Sequence, residues 1–305
     1  STSMSIRKLE IFIEVCRHLN MSKAAQSLFI SQSSVSQAIA SLEKDYKVCL
    51  FERLNHSLYL TDAGQDLLFL AQQVQRSLEQ LDSRMRSPAG QNTLRLGACT
   101  TIGSCLIHPL LAAYRQKYPD ADIIVEIGNS QNLEQKLLTA KLDLAIVQKS
   151  RFYRQLQYLP LLTDDLIVIC WPGHPLAWQT VSLRQLQDEA FVAREQGSGT
   201  EALLEESFAL SDLPLKTSWI CSGTDAVKQA VMHQAGLAVI SRFLVQRELA
   251  AGTLAAITLT ERPLTRSFEL AYHKDKLQDT CFRQFTAFCG SQSEAGLLRL
   301  IASKT

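Results

Sequence analysis

Residues 20–46 read NMSKAAQSLFISQSSVSQAIASLEKDY, and their pattern predicts two consecutive helices near the N-terminus of the chain. Asn20 is a helix N-cap residue before a short alanine-containing segment, and Ser31 is the next N-cap residue. The segment that follows carries an apolar stripe at helical spacing, formed by Val35, Ile39, Leu42 and Tyr46. The pattern predicts a short helix over 21–28, a tight turn at Phe29-Ile30 and a longer helix over 31–45.

The face of the longer helix opposite this stripe is polar. It presents Ser33, Gln37, Ala40 and Lys44, with Ser34 and Ser41 on one flank and Gln32 on the other. No acidic residue stands between Ser31 and Leu42. Short hydroxyl and amide side chains can reach base edges and phosphates, but a solvated face without a partner fits the same residues equally well.

The segments on either side complete a known arrangement. Residues 5–18 carry apolar residues at helical spacing, and residues 50–53 and 58–60 alternate around the Asn55-His56-Ser57 turn like a β-hairpin. Three helices followed by a hairpin are typical of a winged helix-turn-helix, whose third helix enters the major groove of double-stranded DNA. In that fold the wing contacts the phosphate backbone of the DNA, which predicts a phosphate or minor-groove contact for Arg53.

This part of the chain resembles the LysR-type transcriptional regulators, motif by motif and in order. The motifs are Leu9-x-x-Phe12, Asn20-Met21-Ser22-Lys23-Ala24-Ala25, Leu28-x-Ile30-Ser31-Gln32-Ser33-Ser34-Val35-Ser36, Ile39-x-x-Leu42-Glu43, Leu50-Phe51-x-Arg53 and Leu60-Thr61-x-Ala63-Gly64. The chain departs from the family at Lys47, where glycine is usual, and has no basic residue over 37–41, where the family often has them. The resemblance implies a DNA-binding domain over 4–61, with a helix-turn-helix from Met21 to Ala40. The expected DNA contacts are Gln32, Ser33, Ser34, Ser36, Gln37 and Arg53.

A long helix is predicted over 61–86. Its apolar residues repeat at spacings of 4, 3, 4, 3 and 4 and are Leu67, Ala71, Val74, Leu78, Leu81 and Met85. This repeat is typical of a coiled-coil seam between two chains, although packing onto the helix's own body is the alternative. Ser87-Pro88-Ala89-Gly90 then breaks the helix. The resemblance implies a linker over 62–88 that makes a homodimer, and a homotetramer on DNA.

From Thr93 onward, short apolar runs alternate with helix-length segments. The runs are residues 94–97, 123–127, 144–147, 166–169, 191–193 and 237–240, which predicts an α/β domain with parallel strands covered on both faces. The resemblance implies an effector-binding domain of two periplasmic-binding-protein-like subdomains. Subdomain I would comprise residues 89–163 and 265–305, and subdomain II residues 164–264, with the chain crossing near Thr163 and returning near Thr265.

Two glycine- and hydroxyl-containing segments follow predicted strands and open helices, where backbone N–H groups can receive an anion. One holds Thr100 and Thr101, and the other is Arg194-Glu195-Gln196-Gly197-Ser198-Gly199-Thr200, although an ordinary loop and cap is the alternative for the latter. This second run is similar to family members that govern carbon dioxide fixation or sulfur metabolism, which implies a small anionic co-inducer. The expected effector-binding residues are Thr100, Thr101, Gln148, Ser198, Gly199, Thr200 and Thr224.

Composition and charge exclude several classes of protein. The 305 residues are 46% hydrophobic and 20% charged, as in globular proteins, and the net charge is +1. Residues 1–93 hold ten Lys and Arg against nine Asp and Glu, so DNA binding has to rest on local geometry. No apolar run suits a membrane span or a signal peptide, which predicts a cytoplasmic protein with no membrane partner. Residues 1–3 are interpreted as an expression remnant.

The common catalytic signatures are absent from the sequence, and its six histidines are scattered. We therefore expect no enzyme activity, no catalytic residues, no metal and no cofactor apart from the co-inducer. The second alternative is a stand-alone solute-binding protein, which would carry a signal peptide and lack a DNA-reading domain. The sequence disagrees with it on both points. The eight cysteines are expected to be mostly buried apolar residues, and the alternative is a redox sensor, because Cys99 and Cys105 flank the proposed ligand turn and Cys221 precedes another helix start.

Overall fold

The computed structural model describes residues 4–55, 57–86, 93–150, 152–261 and 263–303. It divides into two compact units, Ser1–Asn92 with Leu138–Ala140, and Thr93–Leu137 with Lys141–Thr305. Three predicted features lie outside the described residues. They are the expression remnant at residues 1–3, His56 of the wing turn and the helix break at Ser87-Pro88-Ala89-Gly90. Within those ranges, no helix is both long enough and apolar enough to cross a membrane.

The first unit confirms the predicted winged helix-turn-helix and the helix after it. Its elements are α1 (Ile6–His18), α2 (Met21–Ser27), α3 (Gln32–Tyr46), β1 (Phe51–Leu54), β2 (Ser57–Leu60) and α4 (Asp62–Arg86). Both predicted N-caps are present, because the Asn20 side chain accepts a hydrogen bond from the backbone N of Lys23 and the Ser31 hydroxyl accepts one from the backbone N of Ser34. The antiparallel β1–β2 pair forms the wing.

The apolar faces of the three helices form the core of this unit, with Phe12, Ala24, Val35 and Leu42 buried. The predicted stripe on α3 was wrong at its last position, because Tyr46 is exposed. Tyr46 is the final residue of α3, and the chain leaves the helix through Lys47 in the left-handed conformation with φ 55°. Lys47 occupies the position where glycine is usual in the resembling family, and a side chain costs about 1–2 kcal/mol there.

The second unit is a mixed α/β domain. Its strands are β3 (Leu94–Cys99), β4 (Ile123–Gly128), β5 (Leu144–Val147), β6 (Leu156–Cys170), β7 (Thr180–Val181), β8 (Ala190–Arg194), β9 (Lys216–Cys221), β10 (Ala238–Ser241), β11 (Ala255–Leu259) and β12 (Leu264–His273). Its helices are α5 (Thr100–Cys105), α6 (Ile107–Lys117), α7 (Ser130–Leu138), α8 (Gly199–Leu210), α9 (Thr224–Met232), α10 (Gln246–Ala251), α11 (Thr280–Ser291) and α12 (Glu294–Ala302). All six predicted apolar runs lie on strands.

The main sheet has the order β4-β3-β5-β12-β6-β11-β7, with β10 also paired to β6. β3 is parallel to β4 and β5, and β8 and β9 form a separate parallel pair. The prediction of parallel strands throughout was wrong at the centre, because β12, β10 and β11 are antiparallel to β6. β6 is also much longer than the predicted 166–169, since Pro160, Asp164 and Asp165 interrupt its apolar pattern.

β6 and β12 join two groups of strands. The first part of β6 pairs with β12, and β12 also pairs with β5. The last residues of β6 pair with β10 and β11. Asp164 and Arg266 are directly opposite each other in this register. The two long strands therefore connect these two groups of strands, and they place a carboxylate and a guanidinium at the crossing.

Candidate DNA-reading surface and effector cleft

The exposed face of α3 carries most of the predicted groove contacts. Gln32 and Gln37 are exposed, and neither side-chain amide has a partner among the described residues. The hydroxyls of Ser33 and Ser34 lie 2.9 and 2.7 Å from the Ser31 hydroxyl, so these three serines form one cluster at the start of the helix. The helix therefore presents two unpaired amides and a group of short hydroxyls to solvent.

Two of the predicted DNA contacts lie apart from this face. Ser36 is half-buried, and its hydroxyl donates to Sδ of Met21 at 3.4 Å, which directs it toward α2. Arg53 lies on β1 of the wing, where it is exposed and makes no ion pair with any residue that the structure describes. The guanidinium is therefore free to meet a phosphate beside the groove.

In the second unit, a buried arginine gathers three of the predicted effector residues. Nη1 of Arg266 donates to Oγ1 of Thr200 at 2.8 Å and to Oε1 of Gln148 at 3.2 Å, and Nη2 donates to Oγ1 of Thr101 at 3.0 Å. Nε donates to Oδ2 of Asp164 at 2.8 Å. Residues of both subdomains thus meet on one guanidinium at the crossing of β6 and β12.

Asp164 is fully buried, so this ion pair lies in a low-dielectric environment. Burial raises the pKa of the Asp164 carboxyl, while the Arg266 guanidinium and the Ser241 hydroxyl, which donates to Oδ1 at 2.8 Å, act in the opposite direction. The Arg266 guanidinium also stacks on the Phe268 ring, 4.6 Å from its centroid. Because Thr101, Asp164 and Thr200 are buried and hydrogen-bonded to Arg266, this network fixes the geometry of the crossing.

A second arginine lies beside the predicted glycine-rich run. Arg194 ends β8 and is only 6% exposed. Its Nε and Nη2 donate to the two carboxylate oxygens of Glu195 at 2.8 and 2.9 Å, and Nη2 also donates to Oγ1 of Thr100 at 3.3 Å. Thr100 opens α5 in subdomain I, so Arg194 joins the two subdomains through a predicted effector residue.

A cavity of about 390 Å³ opens next to Arg194, and we call it the Ser198 cavity. Both subdomains line it, and its polar lining includes Gln131, Ser150, Arg194, Ser198, Glu201, Glu205 and Thr217. Ser198 is the N-cap residue of α8 and is 5% exposed, yet its hydroxyl makes no hydrogen bond within the described part of the chain. Glu201 also lines the cavity, and its Oε2 accepts a hydrogen bond from the backbone N of Arg194 at 2.9 Å.

The remaining predicted effector residues have separate positions. A Cβ on Gly199 would lie 2.3 Å from Oε1 of Gln148, so a larger residue at this position would displace the Gln148 amide. Thr224 opens α9 but lines a different cavity, of about 570 Å³, together with Ser104, His108 and Lys228. The structure therefore brings together six of the seven predicted effector residues around Arg194 and Arg266, and it places Thr224 outside this group.

The two arginines were not among the predicted site residues. Arg194 stands inside the Arg-Glu-x-Gly-Ser-Gly-Thr run, so its position next to a predicted anion site was the available signal. Arg266 had no local signal, because it lies on a strand and meets Asp164 across 102 residues of sequence.

The structure gives no support to the redox alternative. Burial raises the pKa of the thiols of Cys99, Cys105 and Cys221, in the case of Cys105 to about 12. Thiols of this kind are weakly nucleophilic at neutral pH. Among the described residues, no group of three or more His, Cys, Asp or Glu is arranged to hold a metal ion.

Comparison with known proteins identifies both units. The family profile described as LysR substrate binding domain matches residues 88–294, and the profile described as bacterial regulatory helix-turn-helix protein, lysR family, matches residues 6–65. The chain is 31% identical over 294 residues to the HTH-type transcriptional activator CmpR of Synechocystis sp., covering 95% of this chain and 96% of that protein. It is 29% identical over 293 residues to the RuBisCO operon transcriptional regulator of Allochromatium vinosum, covering 95% and 97%.

Solved structures agree with this result. The regulatory domain of Synechocystis CcmR in complex with 2-PG matches with a TM-score of 0.61 and 28% identity, covering 65% of this chain and 96% of that chain. The sequence relatives are named as transcriptional regulators, which confirms the prediction that the chain is not an enzyme. This chain therefore belongs to the LysR family and is a transcriptional regulator with an N-terminal helix-turn-helix domain and a C-terminal substrate-binding domain.

Proposed function

We propose that this regulator reads double-stranded DNA through α3 and that a small oxyanion bound in the Ser198 cavity controls it. The unpaired amides of Gln32 and Gln37 suit base edges in the major groove, and Ser33 and Ser34 suit nearby phosphates. Arg53 contacts the backbone from the wing, and Ser36 supports the groove surface from its flank. This reading takes place where bacterial DNA is held, in the cytoplasm.

The unpaired Ser198 hydroxyl carries the effector half of the proposal. It lies at the start of the 12-residue helix α8, whose first N–H groups favour negative charge, and it shares its cavity with Arg194. Nη1 of Arg194 has no hydrogen-bond partner among the residues described here, so one edge of the guanidinium remains available. The complex of the CcmR regulatory domain with 2-PG, to which this domain is similar, supports a small ligand.

Ligand binding would act through the contacts between subdomains. Thr100 and Thr101 from subdomain I, and Ser198, Gly199 and Thr200 from subdomain II, converge on Arg194 and Arg266, while Gln148 approaches Gly199. An anion held from both sides favours the closed cleft by its greater affinity for that state. Thr224 stays a predicted effector residue, but it lines the separate cavity of about 570 Å³ and is not part of this network. Closure would then change the spacing of two DNA-reading domains.

Self-association through α4 supplies the second reading domain. The first half of the predicted seam is used within the chain, where Ala71 is buried in the core of the first unit. The second half, which includes Val74, Leu78, Leu81 and Met85, is exposed. Val74 and Leu78 also line a groove of about 330 Å³ between α1 and α4, with Ile6 and Ile13 on its other side. In the proposed homodimer a second copy of α4 covers this groove, and pairing of dimers on DNA gives a homotetramer.

A thermal-shift screen of small anions against the full chain tests the effector half. An anion that binds only the folded state must raise the midpoint of unfolding. Ser198→Ala and Thr100→Val each remove one hydroxyl and add no charge, so each should reduce the shift while the fold and basal DNA binding remain. Ser207→Ala on the same helix is the matched control, since the Ser207 hydroxyl donates to the carbonyl of Leu203. Normal responses from both cleft variants would place the effector elsewhere.

A further inference from the structure

The Arg194–Glu195 pair has the geometry of an arginine that holds a ligand. Two parallel hydrogen bonds, from Nε to Oε2 and from Nη2 to Oε1, join the guanidinium to both carboxylate oxygens at 2.8 and 2.9 Å. Guanidinium binds external carboxylates and phosphates through the same two-pronged arrangement. Glu195 therefore occupies the edge of Arg194 that an oxyanion would choose first.

The surroundings of the pair favour an exchange of partners. Arg194 is anchored, because it is buried and also donates to the Thr100 hydroxyl at 3.3 Å. The Glu195 side chain is 23% exposed and that of Arg194 is 6% exposed, so the carboxylate is the partner that solvent reaches more readily. The Ser198 hydroxyl and Nη1 of Arg194 are donors without partners among the described residues, and both residues line the Ser198 cavity.

We propose that Glu195 is an intramolecular competitor for the oxyanion that binds Arg194. This inference rests on the proposed function, in which the Ser198 cavity takes a small anion. The Glu195 carboxylate neutralises Arg194, and an arriving sulfate, phosphate or carboxylate must either displace it or bind against its negative charge. Glu195 thus sets the concentration at which the regulator responds, and it selects for anions with two oxygens that can meet the guanidinium edge.

An opposite role for Glu195 gives the opposite sign in an experiment. If Glu195 were a positioning residue that orients Arg194 for the ligand, then weakening the pair would weaken anion binding. Glu195→Gln separates the two roles, because the glutamine keeps one oxygen that can accept from Arg194 and loses the negative charge. Glu205→Gln is the matched control, since Glu205 is an exposed carboxylate that lines the same cavity and makes no contact with Arg194.

The test is isothermal titration calorimetry of the full chain with inorganic sulfate and with inorganic phosphate. We expect Glu195→Gln to bind at least one of them about tenfold more tightly than wild type, with a smaller gain for Glu205→Gln. An affinity that is unchanged or lower in Glu195→Gln, or a gain equalled by Glu205→Gln, would overturn the competitor role. Detectable binding by Glu195→Gln alone would support it.

Ser198→Ala and Arg194→Met keep this test separate from that of the proposed function. If both weaken binding while Glu195→Gln fails to strengthen it, the anion site stands and the competitor role is wrong. If neither wild type nor Glu195→Gln binds either anion, both proposals fall together. Unfolding curves of each variant establish that the compared proteins are folded.

Discussion

Arg266 and Asp164 face each other in register across β12 and β6, with Nε 2.8 Å from Oδ2 and both side chains buried. Removing the arginine would leave a buried carboxylate without its counter-charge, which typically costs about 3–5 kcal/mol. We expect Arg266→Met to lower the free energy of unfolding of the second unit by about that amount. The double variant Arg266→Met with Asp164→Leu should recover much of the loss, and urea unfolding of the full chain measures both. Equal loss in the single and double variants would show that the ion pair is not the source of the effect.

Lys47 provides a test of the strain at the end of α3. Its φ of 55° is unfavourable for a side chain, so Lys47→Gly should raise the free energy of unfolding of the first unit by up to about 1 kcal/mol. Lys44→Gly, in the last turn of the same helix, should lower it by about 0.5–1 kcal/mol. Chemical unfolding followed by helical circular dichroism compares the two. A loss at both positions would show that the left-handed conformation carries no strain.

The burial of His273 predicts that the stability of the second unit depends on pH. Burial lowers its pKa from about 6.5 to about 4, with Asp275 opposing and Lys274 adding to that change. Because the folded pKa is below the unfolded one, its contribution to stability is present above about pH 6.5 and is lost as pH falls toward 4. The loss amounts to at most about 3 kcal/mol.

His273→Gln removes this titrating group and should flatten the decline of the unfolding midpoint between pH 6.5 and 4. His233→Gln is the control, because His233 is exposed. Parallel decline in wild type and His273→Gln would assign the pH dependence to other groups.

Leu81 tests self-association through α4. It is 61% exposed in the single chain, and a charge there would lie within the apolar seam of a dimer. We expect Leu81→Asp to weaken dimerisation at least about tenfold. Ser77→Asp places the same charge on an exposed position outside the seam and should have a smaller effect. Sedimentation equilibrium compares the variants, and unchanged association in Leu81→Asp would exclude this part of α4 as the interface.

Features with local causes could be predicted from the sequence. The N-caps at Asn20 and Ser31 and the bounds of α3 follow from neighbouring residues, because a cap satisfies backbone groups within one turn. That Thr101 and Thr200 lie in one site could also be predicted, since each is in the first turn of a helix that follows a strand of the same domain.

Features with distant causes could not be predicted in this way. The long strand β6 is stabilised by β12, whose register with it joins residues about a hundred positions apart. By its local sequence, Asp164 would be expected in a loop and Arg266 on the surface. The structure places both in the interior, because they form a hydrogen-bonded pair across the sheet. Pairing across a sheet decides both, and a local sequence pattern does not contain it.

The reading of DNA by α3 is tested most directly by selection of random duplex DNA with the full chain at about 150 mM salt, close to physiological ionic strength. We expect a motif of two half-sites, because two copies of α3 bind one duplex. Gln37→Ala should relax the preference at one base position of each half-site at a cost of about 1–3 kcal/mol, whereas Arg53→Ala should weaken binding to all sequences alike. Enrichment of no motif by the wild-type chain, or an identical motif and affinity for Gln37→Ala, would contradict the account.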